Sequence, residues 1–343
     1  MLAYIVKRLL LMLPTLLGVL TITFAVIQFV PGGPVEQVLA EARALNAKSE
    51  RYGARRDLDT KQVEALKKLY GFDKPAPERY VDMLKNFARF ELGTSFMHNK
   101  GVWELMKEKL PVSISLGLWT FLLSYLVSIP LGIAKAVRDG TRFDTLTTVV
   151  VLIGYAIPGF VLGVLLIVLF AGGSFLDWFP LRGLVSDHWQ SLPWPARIAD
   201  YFWHLTLPLI CMTLGSFAVT TMLTKNTFIE ELRKQYVLVA RAKGLSQQRV
   251  LWKHVFRNAL IPIVTGFPAA FVGAFFAGSL LIETLFSLDG LGLLSYEAVV
   301  RRDYPVVLGS LYLFTLIGLV VKLVSDLLYV WVDPRVQFEA VGK

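Results

Sequence analysis

Six apolar runs, at approximately residues 9 to 30, 111 to 134, 145 to 171, 205 to 224, 259 to 287 and 305 to 331, constrain this chain more than any other feature. Each is long enough to cross a hydrocarbon core of about 30 Å, which takes roughly 20 helical residues. The composition agrees. Of the 343 residues 55% are hydrophobic, and the mean hydropathy of +0.56 is well above that of a soluble globular domain. Lys7 and Arg8 ahead of the first run give it the flank of a signal peptide. Its apolar stretch is too long for one and no small-residue cleavage site follows, so it reads as a retained span. The expectation is an all-α integral membrane protein with six transmembrane helices.

The net charge of +9 could suggest a nucleic-acid partner, so the placement of the basic residues decides the matter. Lys7 and Arg8 precede the first span, and Lys135, Arg138 and Arg142 lie between the second and third. Lys225, Arg233, Lys234, Arg241, Lys243, Arg249, Lys253 and Arg257 lie between the fourth and fifth. The short loops on the other side carry only Arg182, Arg197, Arg301 and Arg302. The positive-inside rule then puts both termini in the cytoplasm, and the charge is that of membrane topology and not of nucleic-acid binding.

Residues 1–30 read as the N-terminus and first helix, 31–110 as a small helical periplasmic region, and 111–343 as a five-helix core with a connecting loop at 225–258. In the periplasmic region Asp59 and Gln62 resemble a capping box. Val63, Leu66, Leu69 and Tyr70 follow at helical spacing, and Gly71 ends the run. A second helix is expected from Glu78, with Tyr80, Leu84 and Phe87 on one face and Pro75 and Pro77 ahead of it. Residues 40 to 57 show no apolar periodicity and read as a weakly packed arm. In the loop 172–204, Trp178, Trp189, Trp194 and Trp203 suit the headgroup level.

The search for chemistry returns absences. There is no G-x-x-x-x-G-K-[ST], no H-E-x-x-H and no G-x-S-x-G, and His98, His188, His204 and His254 are not in metal-ligand spacing. Cys211 is the single cysteine, so no intrachain disulfide forms. Gly290-Leu291-Gly292 reads as a turn. Neither catalytic nor metal residues are expected, and the chain is not read as an enzyme. Near membrane depth only Glu283, Lys322 and Asp326 are ionisable, and no dense polar cluster or internal repeat marks the spans. Ion-driven carriers need charged groups at the midplane and usually show repeats. A transport protein of this kind would take its energy from outside.

The loop supplies a surface for that. Tyr236, Val239, Ala240 and Lys243 share one face of a short helix that also holds Arg241 and Ala242; Gly244 can adopt the left-handed turn that ends it, and Ser246 can cap the next. In the second helix Arg249, Lys253 and Arg257 form a stripe, with Leu251 and Val255, and Trp252 and Phe256, as apolar neighbours. Docking into a soluble partner and anchoring at anionic headgroups both call for such basic amphipathic helices.

The run Val239-Ala240-Arg241-Ala242-Lys243-Gly244-Leu245-Ser246, with Lys253-His254 and Arg257-Asn258-Ala259-Leu260-Ile261-Pro262, resembles the coupling loop of permease subunits in peptide-importing ABC transporters. The resemblance spans nearly the whole chain. It takes in Tyr4-Ile5-Val6-Lys7-Arg8, Pro31-Gly32-Gly33-Pro34, Tyr70-Gly71-Phe72-Asp73-Lys74-Pro75, Leu92-Gly93-Thr94-Ser95, Arg302-Asp303-Tyr304-Pro305 and Asp333-Pro334-Arg335. The layout is similar to the B-type subunit of oligopeptide and dipeptide permeases. It is most like the Yej-type branch, which imports peptides and peptide antibiotics of the microcin C kind. The wider importer pattern opens with E-A-A, whereas Leu238, Val239 and Ala240 stand here, and Phe256 replaces a common proline.

The resemblance implies a bacterial inner-membrane protein that pairs with a second, C-type permease subunit. Two ATPase subunits, which alone hold ATP and Mg, and a periplasmic solute-binding protein that delivers peptide would complete the assembly; this chain itself would bind no cofactor. The translocation path is sought around Phe267, Pro268, Phe271 and Gly278 of the fifth span. Importers of nickel, glutathione or oligosaccharide use the same permease type, and a self-contained carrier or a membrane scaffold are the readings outside it.

Overall fold

A computed structural model describes residues 2–29, 73–173, 175–276 and 279–332. The expected helix over 59–70, the arm at 40–57, Gly278 and the Asp333-Pro334-Arg335 motif lie outside them. The helices are α1 (Leu2–Phe29), α2 (Ala76–Ala88), α3 (Val102–Val137), α4 (Arg142–Ala156), α5 (Gly159–Phe170), α6 (Trp194–Leu232) and α7 (Gln235–Ala242). They continue with α8 (Gln247–Ala259), α9 (Ile261–Phe276), α10 (Ser279–Leu285), α11 (Leu291–Val300) and α12 (Tyr304–Val332). Among the described residues there is no strand beyond an isolated bridge between Thr94 and Gly101.

Four helices, α1, α3, α6 and α12, are long and apolar enough to cross a membrane, and two bent pairs raise the number to six if each counts as one span. The third apolar run is therefore not the straight span its hydropathy suggests. It breaks into α4 and α5 at 91°. Ile157, ahead of Pro158, is extended (φ −86°, ψ 118°), as the proline ring disfavours helical geometry in the residue before it. Pro158 then caps α5, and Gly159 packs so closely on α6 that a Cβ there would lie 2.7 Å from the Cys211 carbonyl. At the start of the fifth run α8 and α9 meet at 48°, and the run itself holds α9 and α10.

The chain groups into two compact units, residues 1–109 with 294–319, and 110–293 with 320–343. In the first, Pro75 caps α2, Pro77 occupies its first turn and Glu78 lies at the positive end of the helix dipole. Phe87 is the buried anchor of this helix, its ring 5.2 Å from that of Tyr312. Tyr80 meets α1 through the Thr21 hydroxyl at 2.6 Å and the Phe24 ring at 5.3 Å.

Two motifs some 200 residues apart meet in this unit. Asp303, 1% exposed, accepts hydrogen bonds from the Ser95 hydroxyl (2.5 Å) and the backbone N–H groups of Phe96 (3.0 Å) and Met97 (3.3 Å). Leu92-Gly93-Thr94-Ser95 and Arg302-Asp303-Tyr304-Pro305 are thus two halves of one clasp at the start of α12. A donor left unsatisfied in such a place costs about 1–3 kcal/mol. Asp303→Ala should therefore lower the melting temperature of the detergent-purified protein more than Asp303→Asn, which keeps an acceptor. Equal melting of both variants and the parent would contradict the clasp.

In the second unit α3 and α6 pack along a seam of small and hydroxyl-bearing residues. Ser124 and Ser216 share a hydrogen bond of 2.6 Å, Ser128 donates to the Phe217 carbonyl at 3.0 Å, and Thr221 and Thr224 are fully buried. The spans hold polar groups after all, but they serve helix packing, as small residues do in membranes where close backbone approach replaces the hydrophobic drive. Gly132 is the tightest point: a Cβ there would lie 2.5 Å from that of Thr224 and 2.8 Å from the Thr221 carbonyl. Gly132→Val should cost about 1–3 kcal/mol through overpacking, read as a lower detergent melting temperature; an unchanged value would contradict the seam.

The tryptophan-rich stretch before and into α6 is a folded cap. Phe179 stacks on Trp203 at 4.4 Å, the Trp189 indole donates to the Arg197 carbonyl at 3.0 Å, and Ser186 bonds to Asp200. Trp178, Trp194 and Trp203 still keep exposed surface.

Candidate functional site

The loop between α6 and α9 is built on a charged base. α6 runs on to Leu232, so Lys225 is helical and not part of the loop. Lys135, at the end of α3, is fully buried; its ammonium donates to the Asp144 carbonyl (2.9 Å), Thr147 (2.9 Å) and Thr148 (2.6 Å) and pairs with the Asp144 carboxylate at 3.0 Å. Lys225 of α6 reaches the same carboxylate at 2.6 Å and Asp139 at 3.1 Å. Asp144 thus ties α3, α4 and α6 together. A buried charge survives only with such partners.

Next along the chain, Glu231 pairs with Lys234 and accepts a hydrogen bond from the Tyr236 hydroxyl at 2.6 Å, while the Asn258 side chain donates to that hydroxyl at 3.3 Å. Tyr236 therefore links the end of α6 to both helices of the loop. Burial, and after it the neighbouring Glu231 carboxylate, push its phenol above the usual range and keep it a donor.

On α7 the buried positions are Val237 and Ala240, which pack with Phe228, Val250, Val255, Ala259 and Ile263. Of the face expected from sequence, Tyr236 is half-buried, Ala240 forms the floor, and Val239 and Lys243 are exposed; all four line one groove. Arg241 and Ala242 are exposed. Leu238 and Val239, 58% and 52% exposed, are the exposed apolar surface of α7. A substitution of Ala240 would test the packing of the loop and not a contact.

The turn follows the expected chemistry. Gly244 has φ +78°; the Leu245 N–H bonds back to the Ala240 carbonyl (3.3 Å) and the Gly244 N–H to that of Arg241 (2.9 Å), a Schellman closure. Ser246 caps α8 by accepting the Arg249 N–H at 3.4 Å.

α8 departs from the expected regular helix. Leu251–Val255 form a π turn. The buried positions Val250, Val255, Ala259 and Ile263 show why: the first step is five residues and the others four, so an added residue in the turn keeps all four on one face. Val250 takes the innermost place, and Leu251, half-buried, packs with Val255 against the same cluster. Arg249, Lys253 and Arg257 are all exposed, but the π turn between them breaks the regular four-residue stripe.

The aromatic residues singled out on the fifth run gather with two from α3. The Phe267 ring lies 4.4 Å from Phe121 and 5.3 Å from Tyr125, and Phe271 lies 5.4 Å from Phe121. Glu283, fully buried, accepts the Leu293 N–H at 2.6 Å at the start of α11 and leaves no space for a side chain at Gly290. The tight packing explains the glycine. Among the described residues no group of three or more metal-ligating side chains comes together.

Sequence reasoning missed Lys135, Asp144 and Glu231 as structural charges. A signal for Asp144 was present: Thr141 and Asp144 have the spacing of an N-terminal cap, and Thr141 does cap α4. Nothing in the sequence pairs Asp144 with Lys225, which is 81 residues away.

A polytopic helical core and a two-helix loop on a charged base have the features of a transporter's membrane component. The chain belongs to the family of inner membrane components of binding-protein-dependent transport systems, whose model matches residues 128–338. It is a multi-pass inner-membrane permease. It is 54% identical to the peptidoglycan transport system permease protein YejB of Agrobacterium fabrum, over 98% of each chain, and 52% identical to the inner membrane ABC transporter permease protein YejB of Escherichia coli O157:H7, over 98% of this chain and 99% of the relative. The di/tripeptide transport system permease protein DppB of Pseudomonas aeruginosa is 36% identical over 99% of this chain and all of its own.

Proposed function

We propose that this chain is one of two permease subunits of an ABC importer that carries peptides, with α7 and α8 facing the cytoplasm as the docking site for the ATPases. The observation that carries the coupling role is the loop itself, two short helices fixed to α6 by Glu231 and Tyr236 and closed by Gly244, with Leu238 and Val239 exposed on α7. The names of the relatives support peptide as the cargo, and the peptidoglycan relative points to peptide-bearing cell-wall fragments within that class. Phe121, Tyr125, Phe267 and Phe271 supply a wall tolerant of varied side chains, as a path for mixed peptides needs. The second permease, the two ATPases and the binding protein are supplied by other chains.

In this reading six spans place both termini in the cytoplasm. Single cysteines in a Cys211→Ser background test it. Gln190→Cys and Arg301→Cys should react with an impermeant thiol reagent added outside, and Arg138→Cys and Gln248→Cys should not; all four positions are exposed, and Cys211 is buried. Outside labelling of Gln248→Cys would overturn the docking reading together with the topology.

A further inference from the structure

Four cations around the loop are paired internally. Lys135, Lys225, Arg233 and Lys234 each lie against a carboxylate of Asp139, Asp144 or Glu231. Among the described residues, Arg241, Lys243, Arg249, Lys253 and Arg257 of the two loop helices and their connection make no such pair. The fold thus neutralises the charges it uses internally and leaves those of α7 and α8 bare.

The bare charges are not spread evenly over the surface. Lys243, Arg249 and Lys253, with His254, line a groove of about 510 Å³ between α7 and α8, and no carboxylate lines it. Its other walls are Tyr236, Val239, Ala240 and Leu245. Three cations round one concavity repel one another until a partner brings the opposite sign. A planar headgroup layer meets convex surfaces, whereas a groove with an apolar floor and a basic rim matches a protruding protein segment. Arg257 and the exposed Trp252, which would serve a membrane contact, lie outside the groove.

We infer that the groove between α7 and α8 receives an acidic segment of the ATPase subunit, with a carboxylate seated among Lys243, Arg249 and Lys253 and an apolar side chain against Val239 and Leu245. This rests on the reading of the loop as the ATPase docking site. It goes beyond that reading in assigning the sign of the partner surface, which the bare cations round the groove make acidic.

A zero-length carbodiimide cross-link tests it, since the reagent joins a lysine amine to a carboxylate only when the two touch. On the assembled transporter in neutral detergent, the expected product is an amide between this chain and the ATPase that maps to Lys243 or Lys253. Lys243→Arg with Lys253→Arg keeps the charge and should lose that product at least tenfold. Lys243→Glu, Arg249→Glu and Lys253→Glu together should reduce ATPase copurification at least tenfold while the second permease is retained. If the ATPase copurifies with the parent chain but the lysines form no such product, or if triple reversal leaves ATPase per permease unchanged and lowers only the membrane level, the groove does not hold an ATPase carboxylate and a lipid headgroup is its counter-charge. Failure of the ATPases to copurify even with the parent chain would instead overturn the docking reading itself.

Discussion

Gly244→Val is expected to abolish peptide uptake while the protein still reaches the membrane. Gly244 has φ +78°, a conformation that costs an ordinary L-residue about 1 kcal/mol and a β-branched one more. A Cβ there would meet nothing within 4 Å, so the penalty arises from the backbone and not from crowding of the Cβ. To escape it the turn must leave the left-handed region, which breaks the Schellman bonds of Leu245 and Gly244 and re-aims α7 against α8. The hydrophobic core under the loop, Val237, Val250 and Val255, keeps the segment folded, so loss should appear in coupling before it appears in expression. Substrate capture by the binding protein should be untouched, and Gly244→Ala should be milder. Uptake at the parent rate by a normally expressed Gly244→Val protein would remove this corner from the coupling path.

Asp144→Ala is expected to have the largest effect on stability. Its carboxylate is the shared partner of Lys135, which is fully buried, and Lys225, which is nearly so. Removal of one partner from a buried pair costs about 3–5 kcal/mol because the remaining charge stays in the low-dielectric interior. That is a large part of the 5–15 kcal/mol that holds a typical domain. Membrane levels should fall and the detergent melting temperature should drop by several degrees. A combined Lys135→Met, Asp144→Leu variant should recover much of the loss, as apolar replacement of a whole pair is often neutral; Lys225 keeps Asp139 in that variant. An Asp144→Ala protein as stable as its parent would show that the three helices do not depend on this carboxylate.

What could be read in the sequence follows from which forces are local. Long apolar runs, the proline start of α2, the glycine turn at Gly244 and the serine cap of α8 are set by residues next to one another, and the structure has each of them. The 91° break after Ala156 was also signalled locally, by Pro158, yet hydropathy averaged over a window cannot separate one span from two bent halves. The π turn of α8 was hidden because Leu251 and Val255 satisfy a regular helical pattern as well as Val250 and Val255 satisfy the irregular one. Packing under Phe228 and Ile263 selects the second. Pairings such as Asp303 with Ser95 or Lys225 with Asp144 are tertiary, 208 and 81 residues apart, and no local pattern records them. The short helix expected from sequence is α7, but the burial of Ala240 depends on what lies beneath that helix and not on the face a helical wheel assigns.

Reconstitution measures the central claim most directly. Proteoliposomes containing this chain, its partner permease and the two ATPases, supplied with peptide-loaded binding protein, should take up labelled tripeptide only with ATP and Mg, and omission of any one component should stop uptake. Tripeptide uptake driven by a proton or sodium gradient in liposomes without the ATPases would contradict the account.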